Sequence, residues 1–172
     1  MISMIIKIID MLKIFRISEW RGYFGLYTYG ILYFTKSLIE ILSKILYTSP
    51  LFFLYMASIY LANNISDIEG DKINPNKINK NILVKKHIDA RLLNLLLLTL
   101  IFFSITYSFT LHPIGQAIYI ISLLLGIFYS LKPLRFKEKP FLDLLSHSIF
   151  FGIGLFLFSS QFNLNFKTIL II

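Results

Sequence analysis

The chain has 172 residues, of which 56% are hydrophobic and 15% charged, with a mean hydropathy of +0.73. Soluble domains carry about 45–50% apolar and about 25% charged residues, so a soluble core of this length could not hide so much apolar surface. The absence of cysteine excludes disulfides and thiolate metal sites.

In chain order, the first segment is amphipathic. Ser3, Lys7, Asp10, Lys13 and Arg16 fall on about half of a helical wheel, with Ile5, Ile8, Met11, Leu12 and Phe15 mostly opposite, which predicts an interfacial helix over 1–20. No basic leader or small-residue cleavage site marks a removable signal peptide. Trp20 reads as an interfacial anchor where the chain enters the bilayer.

Crossing a bilayer takes about 20 residues, and this length predicts spans over about 22–41, 45–64, 90–111, 114–131 and 141–162. The first is interrupted by Lys36 and Glu40 and works if Lys36 snorkels to the far surface. A long polar loop separates the second span from the third, His112-Pro113 makes a tight reversal, and a short basic loop precedes Phe141. Residues 166–172 read as the start of a further span. The fold class expected is an all-α integral membrane protein, a multi-span helical bundle of about five spans plus the start of a sixth.

Positive charge sorts onto alternate loops. Lys7, Lys13, Arg16 and Arg21 precede the first span; Lys72, Lys77, Lys80, Lys85, Lys86 and Arg91 follow the second; Lys132, Arg135, Lys137 and Lys139 follow the fourth. Only Lys36, Lys44 and Lys167 of the 17 basic residues fall elsewhere. The positive-inside rule then predicts a multi-pass cell-membrane protein with a cytoplasmic N-terminus and both basic loops in the cytoplasm. The net charge of +8 is accounted for by topology and by anionic lipid or phosphate partners, and nucleic acid is not expected.

The chemistry-bearing stretch begins where the second span ends. Asn63, Asp67 and Asp71 are four apart, so on a continuing helix each lies about 40° round and about 6 Å along from the last, and all three share one face. Two stacked carboxylates repel unless a metal or basic groups stand opposite. Hard oxygen ligands favour Mg²⁺, which takes one or two carboxylates and leaves its other positions to water and phosphates. An EF-hand would place Asp67, Glu69 and Asp71 at its first, third and fifth positions. It fails at Lys72, where glycine is required, and at Ile78, where a bidentate glutamate belongs.

The Asn63, Asp67, Asp71 pattern, leaving a membrane helix and followed by Lys72-Ile-Asn-Pro-Asn-Lys77, resembles the first Asp-rich motif of the UbiA-type membrane prenyltransferases. The stretch Arg16-Ile-Ser-Glu-Trp20 resembles that family's opening Arg-x-x-x-Trp, and Tyr129-Ser-Leu-Lys-Pro-Leu-Arg-Phe-Lys137 its later cytosolic loop. Nearly the whole chain lies on the first part of that family. The resemblance implies a fold of about nine helices, of which this chain would be an incomplete N-terminal portion, since the second Asp-rich motif is missing. It implies Mg²⁺-dependent transfer of a prenyl group from a prenyl diphosphate to a lipophilic acceptor. The basic loop running into Phe141-Leu-Asp143 resembles members acting on carotenoid-like chains, with quinone precursors and glycerol-phosphate lipids left open.

The implied roles are Asn63, Asp67 and Asp71 as catalytic residues, Asp67 and Asp71 holding Mg²⁺, and Arg16, Lys72, Lys80, Arg135 and Lys137 binding the diphosphate. Tyr129 would stabilise the allylic cation through its ring. Arg16 has a plain reading as a positive anchor, and Lys132, Arg135 and Lys137 one as topology signals. Asp143 is expected to pair with Lys139, and His147 to bond across a helix interface. The family's Arg-Pro pair and Gly after the first motif are replaced here by Lys80-Asn81 and Lys85-Lys86, which keep charge without arginine's fork. The rival reading is a non-catalytic, truncated membrane protein whose basic loops bind anionic lipid or a partner subunit.

Overall fold

The computed structural model describes residues 12–74, 81–86 and 89–160, and every regular element among them is helical. After a 3₁₀ turn at Ile17–Glu19, helix α1 runs Arg21–Tyr33, α2 Leu38–Ile73, α3 Ile82–Lys86, α4 Ala90–Ser108 and α5 Pro113–Ser130. A second 3₁₀ turn at Phe136–Glu138 leads into α6, Pro140–Ser160, which widens to π-helical geometry over Ser148–Gly154. The helices α2, α4, α5 and α6 are each long and apolar enough to cross a membrane. The interfacial-helix expectation for residues 1–11, and that of a further span over 166–172, lie outside the described residues.

The predicted first span over 22–41 is divided. Helix α1 has 13 residues, about 20 Å of helix, and ends at Phe34, so no single helix covers 22–41; with the turns on either side it runs antiparallel to α2, from Asn64 to the Ile45–Thr48 turn. The reason is written at Ser37-Leu-Ile-Glu40: the Ser37 hydroxyl accepts the Glu40 N–H at 3.2 Å and starts a new helix. Glu40 then pairs with Lys44 one turn on, at 2.8 Å.

Helix α2 has 36 residues and contains Pro50. At 1.5 Å per residue it is about 54 Å long, well beyond the roughly 30 Å hydrocarbon core, so its C-terminal turns project past the apolar layer. The Asp-bearing face from Asn63 to Asp71 lies on those turns, still helical. The chain returns through α3, whose Ile82 and Leu83 are buried. At its head Asn81 donates to the Asn64 carbonyl (2.9 Å) and to Asp71 Oδ2 (3.1 Å), while its own carbonyl accepts the Leu83 N–H (3.2 Å).

Around α2 the bundle closes on an aromatic centre of Tyr27, Tyr55, Tyr119, Phe150 and Phe158, all fully buried. Buried hydroxyls need partners in an apolar interior. The Tyr27 hydroxyl bonds Thr48 at 2.6 Å, Tyr55 donates to the Phe150 carbonyl at 2.5 Å, and Tyr119 donates to the Leu51 carbonyl at 3.1 Å. Helices α1 and α6 touch backbone to backbone at Gly30, where a Cβ would collide with Ser159 Oγ and the Phe156 carbonyl. The outer face of α4, with Leu95, Leu98, Phe102 and Phe103, is exposed, as a lipid-facing surface requires.

Trp20 departs from its expected role. It is 6% exposed, its indole N–H donates to the Phe15 carbonyl at 2.9 Å, and its ring packs edge-on against Phe52 and Phe53. The preceding residue with unusual backbone, Arg16 at φ 52°, turns the chain so that the indole faces inward.

Candidate active site

The projecting end of α2 presents Asn63, Ser66 and Asp67 to the short loop joining α5 and α6. That loop folds back on itself: the Arg135 N–H bonds the Leu131 carbonyl (3.0 Å), Arg135 adopts the left-handed region (φ 37°, ψ 60°), and the turn Phe136–Glu138 follows. A non-glycine residue there costs about 1–2 kcal/mol. The side-chain anchors of Arg135 offset it, since its guanidinium lies 3.4 Å from Asp67 Oδ1 and 3.0 Å from Glu138 Oε1. The second contact is charge attraction alone, because the buried Nε–H is not aimed at a hydrogen-bond acceptor.

This turn lowers Lys137 onto α2. Its ammonium donates to Asn63 Oδ1 (2.9 Å), Ser66 Oγ (3.0 Å) and Asp67 Oδ1 (2.5 Å), and its side chain is 13% exposed. Burial pushes the Lys137 ammonium below its usual range, and the adjoining Asp67 carboxylate pulls it partly back. Ser130, the last residue of α5, donates to the same Asn63 oxygen at 3.1 Å. Asn63, Asp67, Arg135 and Lys137 are thus brought together as one cluster, joined by Ser66 and Ser130, which the sequence reading did not single out.

Asp71, 9% exposed, receives the Asn81 amide at 3.1 Å. Lys72 is exposed on the last turn of α2 and takes no part in the cluster. Lys80 lies outside the described residues.

Beneath the cluster is a cavity of about 180 Å³ lined by Arg16, Glu19, Tyr23, Tyr60, Asn63, Tyr129 and Ser130, among others. It shares Tyr23, Tyr129, His147 and Phe151 with a larger one of about 500 Å³ that extends past Leu26, Leu144 and Gly152. Arg16 forks onto Glu19 (2.8 and 2.6 Å) and lies 5.4 Å over the Tyr60 ring. Like Arg135 it has left-handed backbone, and these two arginines are the described non-glycine residues that do. Tyr23 stacks on Phe151 at 4.2 Å, and its hydroxyl is 3.5 Å from His147 Nε2, an α1–α6 contact of the kind expected for that histidine. The expected pairing of Asp143 with Lys139 is replaced: Asp143 Oδ1 accepts the Tyr129 hydroxyl at 2.7 Å, because one turn into α6 the carboxylate faces α5.

Among the described residues no three His, Cys, Asp or Glu side chains stand close enough to hold a metal together. The donor chemistry nevertheless fits magnesium. Asn63, Asp67 and Asp71 offer hard oxygens only, two of them carboxylates, and the oxygens of Asn63 and Asp67 already converge on a positive charge, the Lys137 ammonium.

The fold and this cluster define a multi-pass helical membrane protein with an acidic helix end met by a basic loop above an aromatic-walled cavity. A sequence model of the UbiA prenyltransferase family matches residues 24–163, and the chain belongs to that family. Its members transfer a prenyl group from a prenyl diphosphate to a lipophilic acceptor and generally use Mg²⁺ through Asp-rich motifs. No curated protein and no solved structure matches the chain. The matched range includes Asn63 to Asp71 and Tyr129 to Lys137, while Arg16 and Trp20 precede it.

Proposed function

We propose that this chain takes part in Mg²⁺-dependent transfer of a prenyl group from a prenyl diphosphate to a lipophilic acceptor, at the cytoplasmic face of the cell membrane with its N-terminus cytoplasmic. The observation that carries the reading is the convergence of Asp67, Arg135 and Lys137 on Asn63 and its turn, where Asn63 also lines a cavity with Tyr23, Tyr60 and Tyr129. A ligand that is polyanionic at one end and apolar along the rest suits both halves of that arrangement.

Asp67 and Asp71 would hold the metal, with Asn63 as a neutral oxygen donor. Magnesium, when bound, supplies neutralisation of the charge that builds on the departing diphosphate. Arg135 and Lys137 on one side and Arg16 on the other would take the remaining phosphate oxygens, arginine through its fork and lysine as a point charge. Lys72 and Lys80 would add positive potential at the rim. The cavity wall keeps water from the allylic carbon as its bond to oxygen lengthens. Tyr129, its ring fixed through the hydroxyl's bond to Asp143, presents a π face to the cation that develops.

The acceptor would enter along the larger cavity, whose lining of Leu26, Leu144 and Phe151 suits a carotenoid-like chain, a quinone precursor or a glycerol-phosphate lipid. The test is pyrophosphate release from radiolabelled prenyl diphosphates by the protein in proteoliposomes, with each acceptor class supplied in turn. Asp67→Asn should lower release at least about a hundredfold, the scale of losing a group that stabilises transition-state charge. Unchanged release would remove Asp67 from the chemistry.

A further inference from the structure

The Lys137 ammonium has three N–H donors, and all three find oxygen: Asn63 Oδ1 at 2.9 Å, Ser66 Oγ at 3.0 Å and Asp67 Oδ1 at 2.5 Å. Two of those oxygens belong to residues assigned above to the metal and diphosphate end of the site. The seat is not a chance resting place of a long side chain. The lysine is delivered by a turn that begins at a left-handed arginine, is closed by the Glu138 and Lys139 N–H groups, and passes directly into α6. A second cation, Arg135, approaches the same Asp67 oxygen at 3.4 Å.

A divalent ion bound at Asp67 Oδ1 would compete with Lys137 for the oxygen it holds most closely, and its double charge would repel the ammonium more strongly than the more distant Arg135 does. A free divalent ion would have to expel Lys137 from three placed acceptors with only water in return. A divalent ion arriving with a diphosphate brings its own acceptors, which an ammonium on a flexible four-carbon stem can follow. Resting on the function proposed above, we propose that Lys137 is a specificity-determining residue that makes this site refuse a free divalent cation and accept it only together with a diphosphate. The lysine is then a surrogate cation in the empty state and a phosphate ligand in the loaded one. Its exchange between those two sets of oxygens couples the entry of the two ligands.

The test is binding rather than turnover. Mn²⁺, whose free form is read directly by electron paramagnetic resonance, is titrated into the purified full chain in detergent, alone and with inorganic pyrophosphate. Lys137→Met should bind free Mn²⁺ at least about tenfold more tightly than wild type, the scale of one charge-assisted hydrogen bond no longer displaced. Ser66→Ala, which removes one acceptor from the seat and leaves the lysine in place, should gain about threefold, the scale of one weak bond to a neutral hydroxyl. Lys139→Gln removes an equal charge from an exposed position of the same loop and should stay within about twofold, as surface charges are screened. With pyrophosphate present, Lys137→Met should bind Mn²⁺ no more tightly than wild type.

Equal gains for Lys137→Met and Lys139→Gln would mean diffuse charge and overturn the proposal, as would no gain in Lys137→Met and Ser66→Ala. If wild type binds Mn²⁺ with pyrophosphate through Asp67 and the variants leave free Mn²⁺ unchanged, the inference alone falls. If wild type binds neither, the functional reading falls with it.

Discussion

Asn81 is the residue whose removal best tests how the acidic face is held. It is 2% exposed, and its one side chain serves the Asn64 carbonyl, the Asp71 carboxylate and the Leu83 N–H. Asn81→Ala deletes all three bonds and leaves Asp71 without this donor and the Leu83 N–H without this acceptor at a buried position. Neutral bonds contribute about 1 kcal/mol each and one to a charged group about 1.5–3 kcal/mol, so the loss should total about 3–5 kcal/mol. For a chain of this size about 3 kcal/mol corresponds to a midpoint lower by about 6–12 °C.

The assay is thermal unfolding in detergent, followed by near-ultraviolet signals from the buried tyrosines, alongside pyrophosphate release at a temperature where the variant is folded. Asn81→Asp separates the terms. It keeps an acceptor for the Leu83 N–H and sets a second carboxylate against Asp71, so it shows whether the loss lies in the Leu83 bond or in the donor to Asp71. A midpoint for Asn81→Ala within 2 °C of wild type would refute the reasoning, because three buried bonds cannot be lost at that cost.

Three further outcomes follow from geometry already described. Tyr129→Phe keeps the ring and loses the 2.7 Å bond to Asp143, so turnover should fall by no more than about tenfold, whereas Tyr129→Leu, which removes the π face, should fall further; equal losses would show that the ring does not matter. Gly30→Val forces a side chain into Ser159 and the Phe156 carbonyl and should destabilise by about 1–3 kcal/mol, read as a lower unfolding midpoint, while the same change at the uncrowded Gly25 should cost less. Single cysteines at the exposed positions Lys72, His112 and Lys132 should label in intact cells with a membrane-impermeant reagent at His112 only, and labelling at Lys72 but not Lys132 would put the two halves of the proposed site on opposite faces.

The membrane helices were legible because bilayer length and an apolar run coincide, and the α4–α5 reversal because Pro113 occupies a first helical position. The shared face of Asn63, Asp67 and Asp71 was legible from a spacing of four. What that spacing could not supply was the partner of each carboxylate. Nothing in Arg135 as a residue type announces left-handed backbone, so the turn that seats Lys137 on Asn63 has no signature in the sequence, which supports for Lys137 only a phosphate contact or a topology signal. The start of α2 has a sequence signature, the capping-box spacing of Ser37-Leu-Ile-Glu40, masked by apolar residues on both sides. Asn81 and Ser130 leave no signal, being single polar residues whose partners on α2 come from 10 to 67 positions away. Trp20 misled because an aromatic at a membrane boundary and an aromatic in a core look alike without the chain's turn at Arg16.

Helix α2 joins first turns that expose Leu38, Ile39, Leu42 and Leu46 to a second half, from Leu51 to Ala62, held inside the bundle, and Pro50, its one internal proline, stands between them. Proline forfeits a ladder bond, so bending concentrates there. Asp67 lies 17 residues beyond it, a lever arm of about 26 Å. A change of about 10° about that pivot, within the range by which spanning helices adjust to bilayer thickness, sweeps Asp67 through about 4–5 Å. That exceeds the tolerance of any hydrogen bond in the cluster. The packing of Leu51 to Ala62, with Lys137 and Asn81 as fasteners at the tip, therefore keeps the arm registered against its loop, and lipid thickness acting on the first turns becomes a mechanical load on the alignment of the site.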